Sequence, residues 1–306
     1  MRPLTAISGG LLLAACLLAT GASAQTGGSE GLSPTLLAIK SRHTVHLGYR
    51  ESSPPFSFLD QANRPIGYSL ELCEAIVEEI GVEVDDPSLK IDYVKVTSDD
   101  RIDAVLQNKI DLECGSTTAN SERGKRVAFS PLMFVAGTKL MVPKASNVQS
   151  LTDLKGKTIV VTKGTTNVQA IEAADRKFAL GLKIVTADDH EQAYKMLADG
   201  KADAFATDDI LLYGLIARHK AQGTMKVVGD FLSYEPYGIM FRKGEPQLAA
   251  VVERAFRKLA TEHDLLPLYR TWFMQRLPTG ERLGIDISPQ LEESFKALDT
   301  SPGANN

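Results

Sequence analysis

The sequence predicts an α/β protein with two lobes of similar build, and three observations lead to this fold class. Strand-like and helix-like segments alternate over residues 44–114, which is typical of a parallel sheet covered by helices. The alternation begins again near Leu151 and runs through three more strands. The strands of both series end in polar residues, and open α/β sheets bind ligands beyond the carboxyl ends of their strands. We therefore expect one ligand cleft between two lobes.

The first series starts with a strand over Thr44–Tyr49. Ser69 is a suitable N-cap for the helix that follows, and we expect Gly81 to end it. A strand over 91–96 and a short helix lead to the last strand of the series, over 110–114.

The second series has strands over 157–162, 182–187 and 202–207, each followed by a helical pattern. Two extended segments, 134–143 and 234–243, are suited to link the lobes as a hinge. The predicted organisation is a signal peptide over 1–24, a first lobe formed by 25–138 and 235–298, a second lobe over 139–234, and a disordered tail over 299–306.

The N-terminal segment has the features of a secretory signal peptide. Arg2 precedes an apolar run over Leu11–Ala19, and Ala22 and Ala24 are small residues that suit cleavage before Gln25. We expect export to the periplasm. An alternative is lipoprotein processing at Cys16, which would tether the chain by lipid.

Composition excludes several classes of function. The net charge of −4 disfavours nucleic acid as a partner, because it provides no basic excess to neutralise phosphates. The five histidines are scattered, and no H-x-x-x-H or C-x-x-C spacing occurs, so we expect neither a metal site nor a cofactor.

Two cysteines remain once the predicted signal peptide is removed. Cys73 lies on the apolar face of a predicted helix and Cys114 on an apolar strand, so the two side chains can meet in one core. In an oxidising compartment such a pair is a candidate disulfide, and two buried free thiols are the alternative.

The segment DLECGSTTANSERGKR, residues 111–126, is a candidate anion site. Small donors follow a buried strand, and Arg123 comes five residues after Thr118. Hydroxyl and backbone N–H groups at a strand end, together with a guanidinium, are suited to bind a carboxylate. A turn followed by a helix cap at Ser121 is the alternative interpretation.

Five segments, taken in chain order, resemble the type II periplasmic solute-binding proteins of ABC amino-acid importers, and most closely their glutamate/aspartate-binding branch. The segments are GYRESSPPFSF, TSDDRIDAVLQNKIDLECGSTTANSER, VTKGTTNVQA, ADDHEQA and ATDD, within Ser41–Phe273. The resemblance implies a periplasmic binding protein type II fold that closes on its ligand like a clamshell. It also implies a monomer that is not an enzyme and that delivers an amino acid to importer permease subunits.

The resemblance assigns the head group of an amino-acid ligand to five positions. Arg123 would hold the α-carboxylate, with Ser116, Thr118 and Thr166 donating around it, and Asp208 would receive the α-ammonium. Oxygens of Ser116 and Thr118 are further acceptors for the ammonium.

The side-chain carboxylate of the ligand would meet Arg50, Arg101 and Ser98, with His190 closing from the second lobe. Thr165 ranks below Thr166, because a hydrogen bond to the backbone alone is an alternative role for its side chain. The residue chemistry agrees with an acidic ligand, since a guanidinium binds a carboxylate as a planar fork.

Three alternatives stay open at this point. Ser98 is also a candidate helix cap, with Asp99 and Asp100 in the first turn; if one of these acids pairs with Arg101, the preference shifts toward glutamine or asparagine. A few proteins of this fold are prephenate or arogenate dehydratases, and His190 and Glu113 would then be the candidate acids.

Overall fold

The computed structural model describes residues 31–300, and the predicted signal peptide lies outside this part of the chain. The strands are β1 (Thr44–Tyr49), β2 (Ser52–Ser53), β3 (Ser57–Leu59), β4 (Pro65–Ile66), β5 (Lys90–Lys95), β6 (Leu112–Glu113), β7 (Val127–Phe129), β8 (Phe134–Ala136), β9 (Thr138–Pro143), β10 (Thr158–Thr162), β11 (Lys183–Ala187), β12 (Ala204–Asp208), β13 (Met225–Val228), β14 (Glu235–Tyr237) and β15 (Met240–Arg242).

The α-helices are α1 (Pro34–Arg42), α2 (Tyr68–Val84), α3 (Arg101–Leu106), α4 (Thr166–Phe178), α5 (His190–Ala198), α6 (Asp209–Arg218), α7 (Pro246–Thr261), α8 (Leu265–Tyr269) and α9 (Pro289–Asp299). Short 3-10 turns lie at Arg123–Lys125 and Leu151–Leu154, and a π-helical turn lies at Arg270–Met274.

Each lobe is built on a five-stranded sheet. The first sheet has the order β5-β1-β6-β15-β7 and the second the order β11-β10-β12-β9-β13. The three strands predicted for each series are parallel to one another, as expected. Each sheet also contains an antiparallel strand, β15 or β9, that the prediction of a parallel sheet omitted. These strands come from the linking segments, which enter each sheet from the other lobe and therefore run in the opposite direction.

The two linking segments lie side by side. β8 pairs with β14 in an antiparallel two-stranded ribbon, with Glu235 opposite Ala136 and Tyr237 opposite Phe134. Beyond this ribbon the chain continues from β8 into β9 of the second sheet, and from β14 into β15 of the first. The prediction of two α/β lobes joined by extended segments is confirmed in these features.

An apolar core supports the ribbon on the side of the first lobe. Phe134 and Tyr237 of the ribbon pack with Phe56, Tyr68 and Phe273, whose ring centroids lie 4.8 to 6.2 Å apart in the contacting pairs. Aromatic rings in such edge and offset contacts bury a large area, so the base of the ribbon is held firmly.

Three local predictions were wrong. Helix α2 continues past Gly81 and ends at Val84. Its C-cap is Asp85, whose backbone adopts the left-handed conformation and whose N–H donates to the carbonyls of Gly81 and Val82. Ser98 does not cap α3, because Asp100 occupies the N-cap position. The disordered tail predicted over 299–306 begins too early, because Asp299 is the last residue of α9. Residues 301–306 lie outside the described residues.

Candidate functional site

The polar residues that follow the strands of both sheets come together between the two lobes. They surround one small enclosed space where the carboxyl ends of the parallel strands of the two sheets meet. The residues lining this space are Ser98, Arg101, Ser116, Thr118, Thr165, Thr166, Asn167, His190, Asp208 and Leu211. All the predicted ligand contacts except Arg50 and Arg123 are among them.

Two buried guanidinium groups belong to the site. Arg50 follows β1 and is 1% exposed, and Arg101 begins α3 and is 2% exposed. Within residues 31–300, Nη1 and Nη2 of Arg50 and Nε of Arg101 are buried without a hydrogen-bond partner. Nη1 of Arg101 donates to the carbonyl of Ser116 at 3.4 Å. Because an unpartnered buried donor costs free energy, these groups are suited to receive an anion.

The same positive charges affect the protonation of their neighbours. Burial, and then the charge of Arg101, lowers the pKa of Arg50 to about 10, so this side chain stays charged at neutral pH. Burial and the charges of both arginines hold the pKa of His190 well below its usual range. His190 is therefore neutral, and its Nδ1 lies 2.7 Å from Oγ1 of Thr162. A neutral imidazole retains one N–H that can donate to a ligand.

The two acids before Arg101 have other partners. Asp99 forms an ion pair with Lys163 of the second lobe at 2.7 Å, and Asp100 accepts a hydrogen bond from the backbone N–H of Thr97 at 2.7 Å. In the described part of the chain neither acid forms an ion pair with Arg101. The arrangement that would weaken a preference for an acidic side chain is therefore not the one observed.

Arg123 lies in a 3-10 turn and reaches across to the second lobe. Its Nη1 donates to the carbonyl of Thr118 at 2.9 Å, and its Nη2 donates to the carbonyl of Gly164 at 3.3 Å. Burial, and then the charge of Arg101, lowers the pKa of Arg123 to about 10. Since a guanidinium carries five N–H donors, these two bonds leave others for a ligand.

Glu235, which the sequence analysis missed, accepts hydrogen bonds from two residues that were predicted to contact the ligand. Its Oε2 accepts hydrogen bonds from Oγ1 of Thr118 at 2.7 Å and from Oγ1 of Thr166 at 2.6 Å. The two hydroxyls were predicted to donate to a ligand carboxylate, but in this structure they donate to Glu235. The sequence offers only a weak signal for this residue, an acid within a linking segment.

Asp208 ends β12 and is 4% exposed. Its Oδ1 accepts from Nδ2 of Asn167 at 2.6 Å, and its Oδ2 accepts from the hydroxyl of Tyr237. Burial, and then the negative charge of Glu235, raises the pKa of Asp208 to about 7. Asn167 and Tyr237 were also missed, although the position of Asn167 in the first turn of a helix after a strand was a usable signal.

The remaining hydroxyls divide into two kinds. Ser98 and Ser116 have buried Oγ atoms with no hydrogen-bond partner among the described residues. Thr165 donates to the carbonyl of Thr162 at 2.7 Å, which matches its lower rank in the prediction. The serines are therefore better placed than Thr165 to bond to a ligand.

The lobes touch directly beside this space. Gly164 has a φ of +73°, and a Cβ atom built on it would lie 2.5 Å from Cα of Asp99 and 2.6 Å from the carbonyl oxygen of Ser98. Together with the Asp99–Lys163 ion pair, this close backbone approach encloses the site.

A disulfide lies behind the first-lobe wall of the site. Cys73 of α2 and Cys114, which directly follows β6, form a disulfide across a separation of 41 residues. The pairing expected from export is therefore confirmed. It ties the segment that leads into Ser116 and Thr118 to the helix packed behind it.

The described residues contain neither a metal-binding cluster nor a membrane-spanning helix. Over 31–300 no group of three or more His, Cys, Asp or Glu side chains is arranged to hold a metal ion. No helix in the same range has the length and apolar character needed to cross a membrane.

Curated relatives match nearly the whole chain. The L-glutamate/L-aspartate-binding protein of Pseudomonas aeruginosa is 39% identical over 292 residues, which cover 95% of each chain. The glutamate/aspartate import solute-binding protein of Escherichia coli K12 is 34% identical over 301 residues, which cover 98% of this chain and 97% of the relative. These relatives are solute-binding proteins and not enzymes, which disfavours the dehydratase alternative.

Solved structures share the architecture. An ancestral arginine-binding protein bound to glutamine has a TM-score of 0.68 and 31% identity, and covers 76% of this chain and 99% of its own. The cysteine-binding protein from Campylobacter jejuni has a TM-score of 0.69 and 25% identity, and covers 79% of this chain and 93% of its own. The fold is therefore that of the type II periplasmic binding proteins. Since the family model also matches residues 45–275, the chain belongs to the bacterial extracellular solute-binding proteins, family 3.

Proposed function

We propose that this protein binds L-glutamate, L-aspartate or both between its lobes and delivers the ligand to the permease of an ABC importer. One observation carries the proposal: the guanidinium groups of Arg50 and Arg101 are buried, with N–H donors that no described residue accepts. A ligand carboxylate is the group that satisfies such donors best, because a guanidinium and a carboxylate form paired, charge-assisted hydrogen bonds.

The side-chain carboxylate of the ligand binds Arg50 and Arg101, and the unpartnered Oγ of Ser98 donates to it. Neutral His190 adds an N–H from the second lobe, which makes this contact depend on closure of the lobes. An amide in place of the carboxylate leaves a buried positive charge uncompensated, at a cost of roughly 3 to 5 kcal/mol. Discrimination against glutamine and asparagine of at least about a hundredfold follows.

The α-carboxylate and the α-ammonium form the head group of the ligand, which binds at the other end of the site. The free N–H donors of Arg123 and the hydroxyl of Ser116 hold the α-carboxylate, and Asp208 accepts from the α-ammonium. Thr118 and Thr166, whose protons point to Glu235, present oxygen lone pairs toward the ammonium. Four or five charge-assisted bonds of ~1.5–3 kcal/mol each are enough for micromolar to nanomolar binding.

The setting of this function is the periplasm. The predicted signal peptide over 1–24 supports export, and lipid tethering at Cys16 is a minor alternative. The names of two relatives, which are import solute-binding proteins, support an import role. We propose that the protein acts as a monomer, with the permease subunits of the importer as its partners.

Replacement of Arg123 by alanine tests the proposal. We expect Arg123→Ala to lose measurable binding of L-glutamate and L-aspartate in isothermal titration, because the α-carboxylate loses its only cationic partner in the proposed pose. Arg126→Ala is the matched control, since Arg126 is exposed and pairs with Asp103 away from the site. Binding of wild-type strength in Arg123→Ala would contradict the proposed pose.

A further inference from the structure

Glu235 is a buried acid placed between the lobes. It lies in β14 of the linking ribbon, is 3% exposed, and forms no ion pair with a Lys, Arg or His side chain in the part of the chain described. Its Oε2 holds Thr118 of the first lobe and Thr166 of the second, whose hydroxyl oxygens are 3.4 Å apart. One carboxylate oxygen of Glu235 is therefore hydrogen-bonded to both lobes at the site.

The position of Glu235 is set by backbone pairing. The N–H of Ala119 donates to the carbonyl of Pro236 at 2.7 Å, and the N–H of Gly238 donates to the carbonyl of Thr117 at 3.2 Å. Thr118 thus forms a bridge with Tyr237, which keeps its hydroxyl beside Glu235. The backbone pairing therefore keeps the Glu235 carboxylate next to the Thr118 hydroxyl.

The hydrogen bonds determine what the two threonines can offer to a ligand. A hydroxyl has one proton, and a hydroxyl that donates to a carboxylate has only lone pairs left for other groups. Thr118 and Thr166 line the enclosed space, so this part of its wall accepts hydrogen bonds from the ligand. An ammonium group suits such a wall, because it donates hydrogen bonds to the threonine oxygens. A ligand that places an oxygen there instead brings two sets of lone pairs together, which repel each other.

A chain of side chains connects Glu235 with Asp208. Oε1 of Glu235 accepts from Ser233 at 2.6 Å, and the Ser233 hydroxyl lies 2.7 Å from that of Thr138. Nδ2 of Asn167 donates both to Oγ1 of Thr138 at 2.7 Å and to Asp208 at 2.6 Å. Glu235 and Asp208 therefore belong to one hydrogen-bond network where the head group of the ligand binds. The positive charge of the ligand ammonium compensates the negative charge of both carboxylates.

We propose that Glu235 is a positioning residue that, by taking the protons of Thr118 and Thr166, makes tight binding depend on the α-ammonium of the ligand. This inference rests on the proposed function, since it specifies how the head group of that ligand is selected. Dicarboxylates of the same length without an amino group, such as glutarate, are then rejected. A glutamine at 235 can donate to the threonines instead of accepting from them, which frees their protons for a ligand oxygen.

The test compares L-glutamate with glutarate by isothermal titration at pH 8, in the wild type, in Glu235→Gln and in Glu245→Gln. Glu245 is the matched control, because it is also a buried acid that binds a threonine, Thr35, but lies outside the residues that line the site. We expect the preference of Glu235→Gln for L-glutamate over glutarate to fall about tenfold or more, and that of Glu245→Gln to stay at the wild-type value.

A ratio unchanged in Glu235→Gln, with both ligands weakened equally or neither weakened, overturns the inference, because a purely structural role affects the two ligands alike. If Glu235→Gln does not fold, Thr166→Val provides the second test, since it removes one of the two acceptors and should lower the same ratio. Failure of the wild type to bind L-glutamate rejects the proposed function itself. Wild-type glutamate binding with an unchanged ratio in the variants rejects only the role of Glu235.

Discussion

Nη2 of Arg123 donates to the carbonyl oxygen of Gly164 at 3.3 Å, although the two residues follow strands of different sheets. Gly164 also contacts the backbone of Ser98 and Asp99 so closely that no side chain fits between them. The guanidinium that we assign to the α-carboxylate of the ligand is therefore tied to the contact that encloses the site. Ligand binding and lobe closure depend on the same few atoms.

Substitution of Gly164 by alanine should weaken ligand binding without a matching loss of stability. The new Cβ would lie 2.5 Å from Cα of Asp99, so the lobes cannot approach as closely. We expect a loss of at least about tenfold in affinity and a smaller ligand-induced decrease in the radius of gyration by X-ray scattering. Gly156→Ala is the control, because Gly156 has a similar φ of +71° and a Cβ added to it would have no neighbouring atom within 4 Å. Equal effects of the two variants would show that backbone strain, and not lobe contact, is responsible.

Substitution of Arg50 by methionine should abolish tight binding and stabilise the ligand-free protein. The terminal nitrogens of Arg50 have no partner in the described chain, and the repulsion by Arg101 outweighs the attraction by Glu113. We expect a loss of about a hundredfold or more in glutamate affinity, with a gain of about 1 to 3 kcal/mol in the free energy of unfolding. Titration and urea denaturation measure the two quantities, and the exposed Arg126→Met serves as a control. A less stable variant with unchanged affinity would be evidence that Arg50 is structural.

The affinity should rise with pH because of Asp208. Burial and the charge of Glu235 raise its pKa to about 7, whereas the α-ammonium of a ligand favours its ionised form. Binding therefore releases a proton at neutral pH, and we expect the affinity to increase up to about 30-fold from pH 5.5 to 8. His190 has a pKa well below its usual range, so it stays neutral over most of this interval. Asp208→Asn should bind weakly at every pH and lack this dependence.

The same pKa has a consequence for the stability of the ligand-free protein. A carboxyl with a pKa raised in the folded state binds its proton more tightly when folded than when unfolded. The contribution of Asp208 to stability is therefore present below about pH 4 and is lost as the pH rises through about 7. The difference in unfolding free energy between wild type and Asp208→Asn, measured across this range, isolates the contribution.

Reduction of the disulfide should destabilise the fold. Cys73 and Cys114 close a loop with a separation of 41 residues, for which loop-closure entropy gives a stabilisation of about 4 kcal/mol. Urea denaturation with and without dithiothreitol measures the difference. The double variant Cys73→Ala/Cys114→Ala should be insensitive to the reductant, and a wild type equally insensitive would contradict the prediction.

Much of the site was predictable because strand ends place residues reliably. Each parallel strand brings the residues at its carboxyl end to the same edge of the sheet. Arg50 and Ser116 were therefore predicted from their positions after β1 and β6, and Asp208 from its position at the end of β12. The resemblance to the solute-binding family then brought residues of the two lobes to one ligand. These predictions needed only the direction of the strands and the presence of two lobes.

The missed residues depend on pairings that local patterns do not encode. Glu235 binds the threonines because β14 pairs with β8 and its flanking residues bond to those beside Thr118, which are more than a hundred positions away in the sequence. The end of α2 was placed too early for a related reason. Glycine is a common stop signal, but here Asp85 takes the left-handed conformation, and a Cβ atom built on Gly81 would lie 3.0 Å from the carbonyl oxygen of Asp86.

Isothermal titration of the mature protein tests most directly whether Arg50 and Arg101 bind a ligand carboxylate. The protein is first refolded from denaturant to remove any ligand carried through purification. The titrants are L-glutamate, L-aspartate, L-glutamine and L-asparagine. We expect one-to-one binding of at least one of the two acids, with the corresponding amide weaker by about a hundredfold or more. Amides that bind as tightly as the acids, or four titrations without heat of binding, would contradict the assignment of Arg50 and Arg101 to a ligand carboxylate.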